Sequence, residues 1–363
     1  MAPGPAGAVS PIVSPRRDEA VRGSPPLESV SAIIVSFSDP AATLAAVDSL
    51  LAQSRAPVEI LVVDNHPGAL LDPAELNRGD RAGRTRLVHQ GENLGYTAAC
   101  NLAAAAAQGH WLFFLNPDAR AEPACLAELL SAARSTVGIL GAQILLPSGR
   151  TNAGANPLHV TGVAWAGRCG EQREHGPARS VASVSGAALL ARATAFRAVG
   201  GMCERFFLYV DDVDLCWRVL LTGWEVVFCP EAVVEHDYAF EKGVTKWYWL
   251  ERNRLWAVLS NYSARSLVLL APVLLCAEAM ILATAGRRGW LGQLLRAWAS
   301  VLGSSRELLT WRRLVQSRRS VGDAAGLGLM TGRYDSPLVE SPIVERVSPV
   351  IDAYRRAVLA LVD

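Results

Sequence analysis

Surplus charge of either sign is what this chain lacks first: 35 basic residues face 34 acidic ones over 363 positions, a formal net charge of +1. A chain without a net field has no global pull toward nucleic acid, and none is expected as a partner. Cysteine is scarce as well. The seven are scattered, odd in number and without a C-x-x-C pair, which argues against a disulfide framework or a zinc knuckle and suits a reducing cytosol. Residues 1–29, rich in Pro, Ser, Gly and Ala, lack the continuous apolar stretch of a secretory signal and read as a disordered leader.

What is present begins at Val30. Ser31 to Phe37 is a short run rich in branched residues, the mark of a strand buried on both faces. Helical spacing follows over Thr43–Gln53, then a second buried strand, Val58 to Val63, ending at Asp64. Strand, helix, strand implies a parallel sheet with a right-handed crossover. A third strand is expected at Arg86–His89, an alanine-rich helix at Thr97–Gln108, and a fourth strand at Trp111–Leu115 running into Asn116-Pro117-Asp118. Further strands are expected at Gly138–Leu146, Val181–Leu190 and Glu225–Phe228, with a helix over Asp212–Thr222. Gly149–Ser180 is long for a passive connection and is expected to shape an acceptor site.

The composition changes again near the end. Leu267–Ala285 is almost wholly apolar, and from Arg287 to Arg319 eight arginines meet one acid, Glu307. Six of the ten tryptophans fall between Trp247 and Trp311. Interleaved indoles and guanidinium groups beside an apolar stretch suit a membrane headgroup layer. A full span needs about 20 apolar residues without a mid-segment carboxylate. Glu278 therefore favours an interfacial helix, with a true span and an ordinary packed tail as the alternatives. The expected organisation is an α/β domain over 30–262 and a helical, membrane-associated region over 263–363.

Ligands of open α/β sheets gather at the carboxyl ends of the strands, where Asp64 and Asp118 sit. A carboxylate there can hold a hard divalent cation against a diphosphate, though Asn-Pro-Asp is also an ordinary turn. In Phe206-Phe207-Leu208-Tyr209-Val210-Asp211-Asp212-Val213-Asp214, three acids crowd into four residues after five apolar ones. Adjacent carboxylates beside apolar walls repel and lose hydration, which raises a pKa and suits one to accept a proton. Asp214 is better explained as an i, i+4 partner of Arg218, whereas Asp212 is read as chemical. His236 is either a structural histidine or a metal ligand.

These pieces, in order, resemble family 2 glycosyltransferases. The resemblance rests on Asn93-Leu94-Gly95-Tyr96 through Asn101, on Phe114 to Asp118, on Gly200-Gly201 with Phe206 to Arg218, and on Gly223-Trp224 and His236. It covers about residues 30–260 and is nearest to bacterial rhamnosyltransferase-like and galactofuranosyltransferase-like enzymes of cell-wall and polysaccharide assembly. It implies a GT-A fold and inverting transfer of a sugar from a nucleotide-diphosphate donor, such as dTDP-rhamnose or a UDP-sugar. The implied acceptor is a glycan or lipid-linked glycan, met at an anionic membrane on the cytoplasmic side. It also implies that Asp118 and His236 bind Mg or Mn, that Asp212 is the general base, and that Asp211 lies beside it. Ser36, Asp64, Asn93, Gly95, Asn101 and Asn116 join Asp118 on the donor side. The amides flanking Gly95 could equally cap the alanine-rich helix. Asn116 stands where the family's metal motif has an Asp, Asp211 where Glu is common, and Ser36-Phe37-Ser38 where Thr-Tyr-Asn is usual. Trp247 to Arg254 resembles the family's post-catalytic helix, whose basic residues are implied to reach a phosphate. Two rivals remain: a nucleotidyltransferase, disfavoured because no Gly-rich basic loop follows the first strand, and a non-catalytic sugar-nucleotide or membrane scaffold.

Overall fold

Ser31 to Val35 offers water no polar face, so the segment is stable only with cover on both sides. The computed structural model, which describes residues 28–236, 243–335 and 342–362, places it inside such a sheet. The leader expected at 1–29 lies almost wholly outside the described residues. The first half runs β1 (Val30–Ser36), α1 (Pro40–Leu51), β2 (Glu59–Asp64), α2 (Pro73–Leu76), β3 (Thr85–Gln90), α3 (Tyr96–Ala106), β4 (Trp111–Leu115), β5 (Ala119–Ala121) and α4 (Cys125–Ser131). Then come β6 (Val137–Leu145), β7 (Thr151–Ala153), β8 (Ala155–Asn156), β9 (Arg179–Ser180), β10 (Ser183–Val184), β11 (Ala188–Arg192), α5 (Ala193–Val199), α6 (Asp211–Leu221) and β12 (Glu225–His236).

The sheet order is β3-β2-β1-β4-β11-β6-β12-β5. β1, β2, β3 and β4 are parallel, β6 is parallel to β12, and β11 is inserted antiparallel between β4 and β6. The carboxyl ends of β1, β2, β4 and β12 therefore share one edge, which is where a ligand can approach loops without disturbing the core. Alternate residues feed two cores. Ala32, Ile34, Val62 and Phe113 meet Val47 and Leu50 of α1 and Leu129 of α4. Ile33, Val35, Val63 and Phe114 meet Ala99 and Ala103 of α3 and Leu215 and Val219 of α6. Each large side chain so buried contributes about 1.5–3 kcal/mol, which holds the ligand edge rigid.

Three segments differ from expectation, each for a local reason. α1 starts at Pro40 rather than Thr43, because the Asp39 side chain accepts from Ala42 N at 2.9 Å and proline suits the first helical position. The strand expected over Val181–Leu190 is two pieces, β10 and β11, broken at Ser185–Ala187. The strand expected over Glu225–Phe228 continues to His236, passing Pro230 through an irregularity between Cys229 and Val233.

The chain continues through α7 (Lys246–Asn261), α8 (Ala264–Arg287), α9 (Leu291–Gly303), α10 (Ser305–Arg318), α11 (Ala324–Leu327) and α12 (Pro342–Val362). α7 packs on α9 and α10, and α12 on α8. Buried Arg254 of α7 ties the layers together by bonding Glu251 at 2.8 Å, Glu278 of α8 at 2.5 Å and the Thr161 carbonyl at 3.0 Å. α8 is long and apolar enough to cross a membrane by length and composition, and only 11% of its most apolar window is buried.

Candidate active site

α6 begins in an unusual way. Phe207, Tyr209 and Val210 have φ of 65°, 67° and 63°, a left-handed conformation that side-chain-bearing residues rarely adopt. Asn253 of α7 holds this stretch, its Nδ2 donating to the carbonyls of Phe206 (3.1 Å), Leu208 (2.8 Å) and Tyr209 (2.9 Å). The tight path delivers Asp211 and Asp212 as the first two residues of the helix. Burial, with Asp212 adjacent, pushes the Asp211 carboxyl up to about 8. Burial raises Asp212 too, but its carboxylate accepts from Gly186 N and Val213 N, both at 2.8 Å, and these donors favour the ionised form. Burial thus favours the neutral form most at Asp211, while the two N–H donors oppose it at Asp212 and suit Asp212 better to carry charge. Each Asp212 oxygen takes one N–H and keeps capacity for another proton.

The turn that breaks β10 from β11 joins this pair to the sheet edge. Gly186 N–H binds Asp212, while the next carbonyl, of Ala187, accepts from Asn116 N at 3.0 Å. A side chain at Gly186 would start 3.1 Å from the Asp212 Cβ, so glycine permits the approach. Two residues onward from Asn116, Asp118 is half exposed and its Oδ1 lies 3.0 Å from His236 Nε2. β5 pairs with the end of β12, His236 opposite Ala119, which sets that distance. Asn152, from the long connection, donates to the His236 carbonyl at 3.0 Å.

Asp118 and His236 are the residues that could hold a divalent cation, one carboxylate and one imidazole side by side. The two side chains are 3.0 Å apart, and hard cations take a carboxylate or two while retaining water and phosphate oxygens. Among the described residues no group of three His, Cys, Asp or Glu side chains could form a fuller cage.

The remaining expected residues line the neighbouring strand ends, with their polar groups engaged locally. Ser36 Oγ shares a hydrogen bond with Thr43 Oγ1 at 2.7 Å. Fully buried Asp64 accepts from His66 N (3.2 Å) and Leu71 N (2.8 Å), shaping the loop after β2. Asn93 Oδ1 accepts from Gly95 N and from Asn65 Nδ2, closing the turn before α3. Gly95 has φ 80°, and a Cβ there would meet the Phe207 ring at 2.4 Å. Asn101 grips the Met202 backbone, donating to its carbonyl at 2.9 Å and accepting from its N–H at 2.8 Å. Asp214 and Arg218 form the expected internal pair at 2.7 Å, buried, with Arg218 also bonding the Val199 and Gly201 carbonyls. The basic residues of Trp247–Arg254 are committed inside the protein: Arg252 bonds the Arg205 carbonyl at 2.6 Å.

Asn253, Gly186, Asn65 and Tyr96 are the site residues that sequence reasoning missed. The Tyr96 hydroxyl lies 3.5 Å from the Gly186 carbonyl, and burial keeps its pKa well above the usual range. Asn253 stood between two arginines already singled out. Gly186 carried only the turn signal of Ser185-Gly186, with nothing to point to Asp212.

A mixed sheet with a parallel first half, carrying an acid pair and a carboxylate–imidazole pair at its ligand edge, has the architecture of the GT-A fold. GalNAc-T7 solved with UDP, GalNAc and Mn2+ shares that fold, with a TM-score of 0.51 and 14% identity over 64% of this chain and 48% of that one. The family model for glycosyl transferase family 2 matches residues 31–200. The N-acetylglucosaminyl-diphospho-decaprenol L-rhamnosyltransferase of Mycobacterium tuberculosis is 32% identical over 222 residues, 54% of this chain and 71% of the relative. Galactofuranosyltransferase GlfT1 of the same organism is 30% identical over 58% of this chain and 70% of its own. The chain belongs to glycosyl transferase family 2 and is a glycosyltransferase, which sets aside the nucleotidyltransferase and scaffold readings.

Proposed function

We propose that this enzyme transfers a sugar, with inversion, from a nucleotide-diphosphate donor to a hydroxyl of a cell-wall, polysaccharide or lipid-linked glycan at the cytoplasmic face of a membrane. The observation that carries it is the Gly186–Ala187 turn, which ties Asp212 to the Asn116–Asp118 loop through the N–H of one residue and the carbonyl of the next. One turn thereby sets the spacing between a proton acceptor and a diphosphate site. Asp212 takes the acceptor's proton as that oxygen bonds to the anomeric carbon, and the bond from this carbon to the diphosphate breaks on the opposite face. Asp211, holding its own proton, adds no second negative charge beside the attacking oxygen. Asp118 and His236 would hold Mg or Mn, which when bound neutralises charge on the leaving nucleoside diphosphate. Ser36, Asp64, Asn93, Gly95, Asn101 and Asn116 shape the donor side, mostly by fixing backbone. Similarity to the rhamnosyl- and galactofuranosyltransferases favours dTDP-rhamnose or a UDP-sugar as donor. We take 30–262 as the catalytic unit and 263–363 as its helical attachment to the membrane.

A panel of nucleotide sugars, incubated with purified enzyme and Mg or Mn, tests this by release of nucleoside diphosphate. Release with a subset of donors, dependent on the cation and lost in Asp212→Asn when acceptor is present, is expected. Release of pyrophosphate, or none with any donor, would overturn it.

A further inference from the structure

Away from the acid pair, α10 forms one wall of an open trough of about 700 Å³ against α7 and the turn Glu204–Phe206. It follows three turns of α10, from Arg306 to Ser317, a length of about 16 Å at 1.5 Å per residue. Its apolar lining is half-buried Trp311 and Leu314, with the fully buried Trp256 beneath them. Both indole N–H groups are buried there without an acceptor. The rim carries Arg205, Arg306 and Arg313 against a single carboxylate, Glu307, which pairs with Arg205. Arg306 and Arg313 are exposed and lie on one side of the helix.

We propose that this trough binds a phosphorylated lipid, its phosphate at the arginine rim and the first part of its chain along the indole floor. Guanidinium groups match phosphate oxygens with paired donors, and they are less strongly hydrated than ammonium groups. A purely polar anion would leave the indole floor uncovered, and a neutral lipid would leave the guanidinium groups without a partner. A phosphate attached to an apolar chain uses both. The adjoining helices carry exposed Leu302 and Leu309, so the trough opens beside an apolar surface from which such a molecule can enter. Arg205 precedes the loop that Asn253 holds, so an occupied trough sits one turn away from the segment that presents the acid pair. The proposal deepens the reading of a lipid-linked acceptor, yet its residues are separate from the donor and base residues.

Calorimetric titration of the full-length enzyme with farnesyl phosphate, farnesol and inorganic pyrophosphate tests it, alongside the double variant Arg306→Ala/Arg313→Ala. Farnesyl phosphate should bind, farnesol and pyrophosphate should bind at least tenfold more weakly, and the variant should lose tenfold or more for farnesyl phosphate. Both arginines are exposed, and an unchanged melting temperature confirms that the variant is folded. Equal binding of pyrophosphate would show a free-phosphate site and overturn the lipid claim. Unaltered binding in the variant, or no binding of any probe, would overturn the trough. Donor hydrolysis measured without lipid in the same samples separates these failures from failure of the glycosyl-transfer reading, since it does not use the trough.

Discussion

At the scale of single residues, the two adjacent carboxyls differ through their hydrogen bonds. Asp212→Asn should abolish transfer while sparing donor binding, because general-base loss costs about a hundred- to ten-thousandfold in rate. The amide also sets an NH2 or loses an acceptor opposite Gly186 N or Val213 N, a stability cost of about 1 kcal/mol. Transfer rate at saturating donor, with donor affinity from a separate titration, decides this, and an active Asp212→Asn enzyme would end the assignment. Asp211 carries a different signature. Its folded pKa, up to about 8, exceeds the unfolded value, so the folded state keeps a proton that the unfolded state releases. Stability from this group falls as pH rises from about 4 to about 8, by at most about 1.4 kcal/mol per unit. Asp211→Asn should flatten that fall, seen as melting temperatures that converge less steeply with pH; an unchanged slope would mean that Asp211 is ionised. Asp118→Ala should remove cation-dependent binding of nucleoside diphosphate, while His236→Ala weakens it less because water can replace one ligand. Equal affinity with and without Mn in the parent enzyme would remove the metal from both positions. Sequence patterning singled out the crowded acids of 211–214, whereas Asp118 read equally as an ordinary turn and took its role from the family resemblance. Patterning could not mark Gly186, whose importance is a backbone N–H aimed across the fold.

At the scale of elements, β1, β2 and β4 were legible because their residues are almost all apolar, and α6 because its period is helical, whereas the short β5, β7, β8 and β9 carried no such run. The break between β10 and β11 was passed over although Ser185-Gly186 is a turn dipeptide inside Val181–Leu190, and the distant Asp212 gives the turn its further reason. The loop 206–210 was equally hidden: three left-handed residues without glycine follow no local preference and cost about 1–3 kcal/mol each. Asn253 offsets that strain with three hydrogen bonds from one nitrogen. Asn253→Leu should therefore let the loop relax, lowering the melting temperature and raising acceptor KM more than donor affinity changes. Asn253→Gln, which keeps the NH2 on a longer arm, should recover part of the loss. If Asn253→Leu leaves acceptor KM untouched, the loop is held by the helix packing alone and Asn253 is dispensable to the site.

At the scale of the whole molecule, the question is how a catalytic sheet meets a surface. Glu278, the residue that argued against a span in the sequence, turns inward: its carboxylate takes Arg254 at 2.5 Å and the Trp298 indole N–H at 3.2 Å. The side of α8 turned away from its buried Leu270, Val273 and Ala277 carries Val268 and Leu275, 74% and 69% exposed, and Leu282, while α9 adds Leu291, Leu295 and Leu302. A helix with one packed face, a charged anchor at the margin of that face and an apolar stripe turned outward is suited to lie along a bilayer rather than through it. Exposed Arg287, Arg288 and Arg296 flank the stripe. Each guanidinium near an anionic leaflet contributes about 1 kcal/mol, an attraction screened over about 8–10 Å in ordinary salt. Purified enzyme should float with liposomes containing anionic lipid, bind neutral ones less, and be released progressively as salt rises. Leu275→Glu, an exposed position outside the catalytic unit, should reduce flotation without lowering donor hydrolysis in solution. Equal flotation with both lipids, indifferent to salt, would mean deep insertion of α8, and the Arg254–Glu278 pair would then have to separate.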